Sequence, residues 1–307
     1  MTGSGLILVD KPGDWTSHDV VARVRRLAGT RKVGHAGTLD PMATGLLILG
    51  VNSSTRLLTY IVGADKEYLA TIRLGATTTT DDAEGDITAE ADPADVAAVT
   101  DDAIARGIRA LTGEIEQVPS SVSAIKVDGK RAYARVRAGE EVALPPRAVT
   151  IAEFELLAAR RLPDATAPVA VELDVRVVCS SGTYIRSLAR DLGADLGVGG
   201  HLTALRRTRV GPFDVREAHE LDTLDAAAAL IPAARAASEL FETLELTEQQ
   251  AIDLTHGRRI HVADREGAGG GPVAAIAPGG HLVGLIEFRG KEARTLVNFP
   301  TDEIASA

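Results

Sequence analysis

One cysteine, Cys179, is all the sequence offers in 307 residues. A lone thiol closes no intrachain disulfide and builds no CxxC zinc site. Aromatic side chains are also scarce, with one Trp, four Tyr and five Phe. Alanine and valine must therefore fill much of the core, and each Tyr or Trp stands out. No apolar run approaches the ~18 residues that a membrane-spanning helix needs. No basic-then-apolar leader opens the chain, so the protein is expected to be cytoplasmic with no membrane partner. A P-loop, an HExxH pair and a dinucleotide fingerprint are all missing. The length and the 45% apolar content suffice for one large or two ordinary domains with a sizeable core.

Positive charge is short overall, with 33 Lys and Arg against 43 Asp and Glu and a formal net charge of −10. Taken alone, that argues against a nucleic-acid partner. The distribution argues the other way. Residues 21–35 carry Arg23, Arg25, Arg26, Arg31 and Lys32 without a single acid. Residues 123–137 carry Lys126, Lys130, Arg131, Arg135 and Arg137 against Asp128, and residues 201–211 add Arg206, Arg207 and Arg209. Residues 81–105, by contrast, hold nine acids and no Lys or Arg. Phosphate contacts depend on local charge, so this segregation suits an RNA-binding face on an acidic protein. Any one basic cluster would equally fit an ordinary solvated face. The acidic stretch Thr77 to Asp102 is expected to run away from the RNA.

The stretch GHAGTLDPMATGLLILG, residues 34–50, organises the rest. Gly34, Gly37 and Gly45 permit backbone angles and close approaches that a side chain would block. Leu46 to Leu49 reads as a buried strand. Asp40, five residues after His35, is thereby held on a turn anchored to the core, which is how a catalytic carboxylate is presented. Asp40-Pro41 is also a good helix start, with Asp as N-cap and Pro at the first helical position.

Around this stretch the elements follow from periodicity and punctuation. Gly5–Val9 reads as a strand, followed by a turn with Lys11 on its surface. Ser17 then caps a helix whose Val20, Val21, Val24 and Leu27 share one face, ended by Gly29. A helix over 55–62 leads to an alternating strand that begins near Tyr68 and runs to Leu74. Tyr68 suits either ordinary strand packing or a ring facing a pocket. A helix is expected over 94–111, then strand, Asp-Gly turn and basic helix over 117–133. Strands over 148–160 and 168–179 and a helix from about Thr183 to Leu196 come next, with another helix near 222–237. Beyond it, a short helix over 246–256 and strands near 273–277, 281–288 and 295–299 make a small β-rich module.

Several of these segments resemble one family. Residues 34–50 match the catalytic motif of the TruB-type tRNA pseudouridine synthases, G-H-x-G-x-L-D-P-x-A-x-G-x-L, at every fixed position. VDKPGDWTSHDVV resembles the family's K-P-x-G-x-T-S segment, with Asp14-Trp15 where one residue is often written. CSSGTYIRSLARDLG resembles C-x-x-G-T-Y-I-R-x-L-x-x-D-L-G, and HLTALRRTRVGPF resembles H-x-x-x-L-R-R-x-x-x-G-x-F. The resemblance covers most of residues 5–213.

It implies that Asp40 is the catalytic carboxylate and that Arg186 pairs with it. It also implies that Tyr68 stacks on the target base, that Tyr184 lies beside the nucleotide pocket and that Leu205 forms an apolar wall. His35 would occupy or contact the space the base leaves, the 11–17 segment would support the catalytic loop, and the loop near 117–133 would grip RNA. The implied fold is α+β: a mixed, largely antiparallel sheet flanked by helices over residues 1–240, with a PUA-like module over 241–307. The implied partner is the T-arm stem-loop of tRNA. A monomeric enzyme would flip uridine 55 out of the T-loop, isomerise it without a cofactor, and additionally help tRNA to fold. A glycosidase would instead need a second carboxylate beside Asp40 and would release uracil, yet no second acid recurs in the motifs. A non-enzymatic RNA-folding protein would keep its function in Asp40→Asn.

Overall fold

The computed structural model describes residues 3–120, 126–127, 130–131, 144–162, 169–263 and 270–300. In chain order it gives β1 (Gly5–Lys11), α1 (Ser17–Ala28), β2 (Val33–His35), β3 (Thr44–Val51), a 3-10 turn (Asn52–Leu57) and α2 (Leu58–Val62). Next come β4 (Lys66–Leu74), β5 (Ala76–Thr78), β6 (Ile87–Glu90), α3 (Pro93–Ala98), α4 (Asp101–Ala110) and β7 (Gly113–Gln117). β8 (Lys126–Val127), β9 (Lys130–Arg131), β10 (Arg147–Leu162), β11 (Ala170–Cys179), α5 (Ile185–Asp195) and β12 (Gly200–Val210) follow. The remainder holds β13 (Phe213–Asp214), β14 (His219–Glu220), β15 (Ile231–Pro232), α6 (Ala233–Leu240), β16 (Glu242–Glu245) and α7 (Glu248–Thr255). It closes with β17 (Ile260–His261), β18 (Val273–Ile276), β19 (Leu282–Arg289) and β20 (Glu292–Asn298). The chain divides into two compact units, one of residues 1–41, 45–62 and 211–307, the other of residues 42–44 and 63–210.

In the first unit β1 runs antiparallel to β3, from Gly5 opposite Val51 to Lys11 opposite Gly45. β14 joins β1 in parallel and β2 joins β3 antiparallel. Leu6–Val9 and Leu46–Leu49 are buried without alternation, as in strands covered on both faces. Val20, Val21, Val24 and Ala28 of α1 pack into the same core as Ile7, Val9, Leu47 and Leu49. The cap of α1 is Thr16 and not Ser17: the Thr16 side chain accepts from Asp19 N, and the Asp19 carboxylate accepts from Thr16 N. The Thr16 hydroxyl, and then the Thr16 N–H, both donating to the Asp19 carboxylate, hold it below its usual range. Ser17 is thereby released for another bond, described below.

The helix expected near 222–237 shortens to α6, because Pro232 immediately precedes it and bars the preceding residues from helical geometry. A five-stranded sheet, in the order β16-β18-β19-β20-β17, completes the unit around its own core, which includes Leu254, Ala275, Val283 and Ile286. Tyr60 meets Phe241 edge-on at 5.2 Å, and Arg56 donates to the Asn298 carbonyl, so this sheet shares a unit with β1 and β3.

In the second unit the strand order is β12-β4-β11-β10-β7, with every neighbouring pair antiparallel. α5 packs on β12 through its buried Leu188, Ala189 and Leu192. The single helix expected over 94–111 is two, α3 and α4. Thr100 breaks the run by capping α4, its side chain accepting from Ala103 N, while Asp92 caps α3 ahead of Pro93. β8 and β9 pair antiparallel, with Lys126 opposite Arg131 and Val127 opposite Lys130. The basic helix expected next is contradicted at its start, since Lys130–Arg131 form β9, and its remainder to Tyr133 lies outside the described residues. Among the described residues no helix is long and apolar enough to cross a membrane. The architecture is the expected α+β one, mixed and largely antiparallel, with a β-rich C-terminal region.

Candidate active site

The loop between β2 and β3 carries Asp40, and no helix begins there: the chain passes from Asp40-Pro41 directly into β3. The helix-cap reading of Asp40 is therefore set aside. Gly37 and Gly45 bracket the loop at φ 88° and 99°, angles a side chain would oppose. Both backbone neighbours of Asp40 are held. Buried Ser17 donates its hydroxyl to the Leu39 carbonyl at 3.1 Å and accepts from Leu39 N at 2.9 Å. The Pro41 carbonyl accepts from Lys11 Nζ and from Asp14 N, both at 3.0 Å. Asp40 itself remains half-exposed between these two fixed points.

Lys11 was expected on the surface of a turn, but it is 0% exposed. β1 runs two residues past its apolar segment and carries Lys11 inward. Its ammonium donates to the carbonyls of Pro12 at 2.9 Å, Trp15 at 2.6 Å and Pro41 at 3.0 Å. One side chain thus ties the strand end, the turn and the Asp40 loop together. Replacing Lys11 by Met should leave these carbonyls short of a donor and cost roughly 2–4 kcal/mol. Urea unfolding checks this as a lower midpoint at an unchanged slope. His35, half-buried on β2, lies edge-on to His18 with ring centroids 5.7 Å apart.

The second unit holds the other expected residues. Tyr68 points to the buried face of β4, opposite Val177 on β11 and Arg207 on β12. Leu205 stands opposite Ala70 on that same face, so Tyr68 and Leu205 are diagonal neighbours across the strand pair. Arg207, read from sequence as part of a phosphate-facing cluster, is only 1% exposed and belongs to this inner face. Lys66 shares it. Burial pushes the Lys66 ammonium down to about 8, helped by the charge of Arg207, while its Nζ donates to the Ala64 carbonyl at 2.6 Å. Opposite Lys66 on β11 is Cys179, whose thiol burial pushes up to about 11. The folded protein should therefore leave a disulfide reagent unconsumed at pH 8, and unfolding should expose one reactive thiol, counted by absorbance.

Arg186, the second residue of α5, is buried and donates Nη1 to the Thr80 carbonyl at 2.9 Å. The same nitrogen lies 3.4 Å from Asp82 Oδ2. Asp82 Oδ1 accepts from the Thr80 hydroxyl at 2.5 Å and from Glu84 N at 3.0 Å. Next to it Asp81 adopts φ 60°, and burial pushes its carboxyl above the usual range despite Arg190 at 3.4 Å. The acidic stretch beginning at residue 81 was expected to lead away from the functional face. Its first two acids instead turn inward to meet two arginines of α5. Sequence reasoning missed Asp82 because nothing near it in the chain distinguishes it from its acidic neighbours.

Three family models match the chain: "TruB family pseudouridylate synthase (N terminal domain)" over residues 25–185, "tRNA pseudouridylate synthase B C-terminal domain" over 186–249, and "tRNA Pseudouridine synthase II, C terminal" over 241–300. A protein of Leifsonia xyli subsp. xyli named tRNA pseudouridine synthase B is 77% identical over 305 residues, covering 99% of both chains. One of the same name from Paenarthrobacter aurescens is 56% identical over 301 residues, covering 96% of this chain and 95% of the other. Among solved structures, a chain of a Cbf5-Nop10-Gar1 complex is 26% identical with a TM-score of 0.67, covering 97% of this chain and 86% of that one.

Proposed function

The chain belongs to the TruB family of pseudouridylate synthases, enzymes that isomerise uridine to pseudouridine in tRNA, and from this we propose that it converts uridine 55 of the T-loop through Asp40. In that reaction the C1′–N1 bond breaks, the uracil turns, and C5 bonds to C1′. C5 gives up its proton and N1 takes one up, so atoms and electrons balance without an oxidant or an energy source. The target base is stacked in the folded RNA and must first be turned out, at a cost of a few kcal/mol. Stacking on an aromatic ring returns about 1–3 kcal/mol.

We assign that stacking to Tyr68, with Tyr184 and the apolar Leu205 as further walls and His35 at the space the base vacates. Asp40 acts as an ionised carboxylate at the ribose. Arg186 is assigned as its guanidinium partner, because a neighbouring positive charge favours the charged form. Asp82 in turn fixes Arg186. Residues 241–307, with a sheet and core of their own, are assigned as a PUA-like module that contacts RNA, and residues 1–240 as the catalytic part.

The observation that carries this reading is the double tether of the Asp40 loop, Leu39 by Ser17 and Pro41 by Lys11. A carboxylate that merely capped a turn would not need both backbone neighbours fixed by buried side chains. Incubation with a T-arm stem-loop RNA, followed by mapping of pseudouridine, tests the site choice. One pseudouridine at the T-loop uridine is expected, and modification elsewhere in the RNA would refute it.

A further inference from the structure

Gln117 ends β7 and opens the 117–133 stretch expected to grip RNA, yet it is itself only 1% exposed. Its amide closes on the main chain of Tyr184. Nε2 donates to the Tyr184 carbonyl at 3.0 Å, and Oε1 accepts from Tyr184 N at 2.8 Å. Only one orientation of the amide satisfies both bonds, so the pairing is directional. It imitates one rung of a β-ladder made by a side chain.

Tyr184 is where such a rung matters. It is the N-cap of α5, with extended angles of φ −106° and ψ 109° and no side-chain cap bond of its own. Its carbonyl takes the first helical bond, from Leu188 N at 3.3 Å, but its N–H finds no partner within the helix. Gln117 supplies the acceptor for that N–H and a second donor to the carbonyl, and so holds the two dihedrals that aim the Cα–Cβ bond of Tyr184. The stretch after Gln117 is tied to the same helix. The Val118 carbonyl accepts from Ser187 Oγ at 3.0 Å and from Arg190 Nη2 at 2.7 Å. Loss of the Gln117 amide would therefore leave Tyr184 N without this acceptor and loosen its main chain, without detaching residues 117–118 from α5.

We infer that Gln117 is a positioning residue for the reaction: its amide clamps the main chain of Tyr184 and thereby aims the ring at the flipped nucleotide. This rests on the proposed role of Tyr184 in the base pocket. A ring displaced by an ångström or so loses its place against the reacting base, and misplacements of that size cost roughly 10- to 100-fold in rate.

The test is a cycle of single-turnover rates at saturating T-arm RNA for wild type, Gln117→Leu, Tyr184→Leu and the double variant. Gln117→Leu is expected to slow conversion roughly 10- to 100-fold with RNA affinity within about threefold of wild type. In the Tyr184→Leu background the same substitution should have little further effect, because nothing remains to be aimed. An equal loss in both backgrounds would overturn the inference while leaving the proposed function standing. A Tyr184→Leu variant as fast as wild type would overturn both the inference and the role given to Tyr184.

If Gln117→Leu does not fold, Gln117→Glu carries the test. A carboxylate there faces the Tyr184 carbonyl, acceptor to acceptor, whereas the protonated acid donates to that carbonyl and still accepts from Tyr184 N. Burial raises the pKa of such a group. The rate of Gln117→Glu relative to wild type should thus climb several-fold as pH falls from about 8.5 to 6. A flat ratio would overturn the clamp.

Discussion

Asp40→Asn should abolish conversion of uridine, lowering the single-turnover rate by at least about 10⁴-fold. The substitution keeps the size and shape of the side chain and removes only its charge. The fold has little reason to respond, because the loop is held through the backbone of Leu39 and Pro41, by Ser17 and Lys11, and both tethers survive. Affinity for tRNA should stay within a few-fold, since phosphate contacts come from cations elsewhere. The measurement is a quenched time course at saturating tRNA, paired with a binding titration and a melting curve. Loss of rate with binding and melting preserved locates the effect in the chemistry. A variant within tenfold of wild type would move the reacting group to another side chain.

Asp82→Asn should lower the same rate roughly 10²-fold. Arg186 and Asp82 form a buried ion pair, and the Thr80 carbonyl shares the guanidinium. Removing one member of a buried pair is normally costly because it strands the other charge. Asn limits that cost by keeping Oδ1, which accepts from Thr80 and Glu84 N. What it removes is the charge that holds the guanidinium in place for the role proposed for it at Asp40. Arg186→Lys should cost more, roughly 10³-fold, because an ammonium lacks the planar guanidinium's further N–H donors beyond the one that meets Thr80 and Asp82. Since both residues act through one guanidinium, Asp82→Asn should add little in the Arg186→Lys background. Melting curves separate loss of positioning from loss of fold. Wild-type rates in Asp82→Asn would show that the acid is purely structural.

The parts of this site that local pattern marks were legible in the sequence. Gly37 and Gly45 announced a tight loop around Asp40, and both take the left-handed angles that only glycine adopts freely. The alternation from Lys66 to Leu74 gave β4 and put Tyr68 on its inner face. The same period-two rule would have turned Arg207 inward beside Leu205, since the two share parity on β12. A run of arginines reads as a solvated face by charge alone, but the strand's pleat buries the one in register with Leu205.

Lys11 and Asp82 were less accessible to such reasoning. A buried lysine needs carbonyl partners, and carbonyls carry no sequence signature. A buried aspartate needs a distant arginine, and only the folded chain brings Arg186 to residue 82. The capping residue moved by one position, from Ser17 to Thr16, and that shift gave Ser17 its bonds to Leu39. Gln117 left no trace in the sequence, because its partners are the backbone atoms of Tyr184.

The central claim is that one uridine is rearranged without losing its base. A tRNA transcript labelled with tritium at C5 of its uridines tests it directly, because a new C5–C1′ bond expels the C5 hydrogen to water. Release of about one tritium per tRNA with no free uracil, and none at all with Asp40→Asn, is the predicted result. Free uracil in the supernatant, or tritium release that persists without the Asp40 carboxylate, would contradict it.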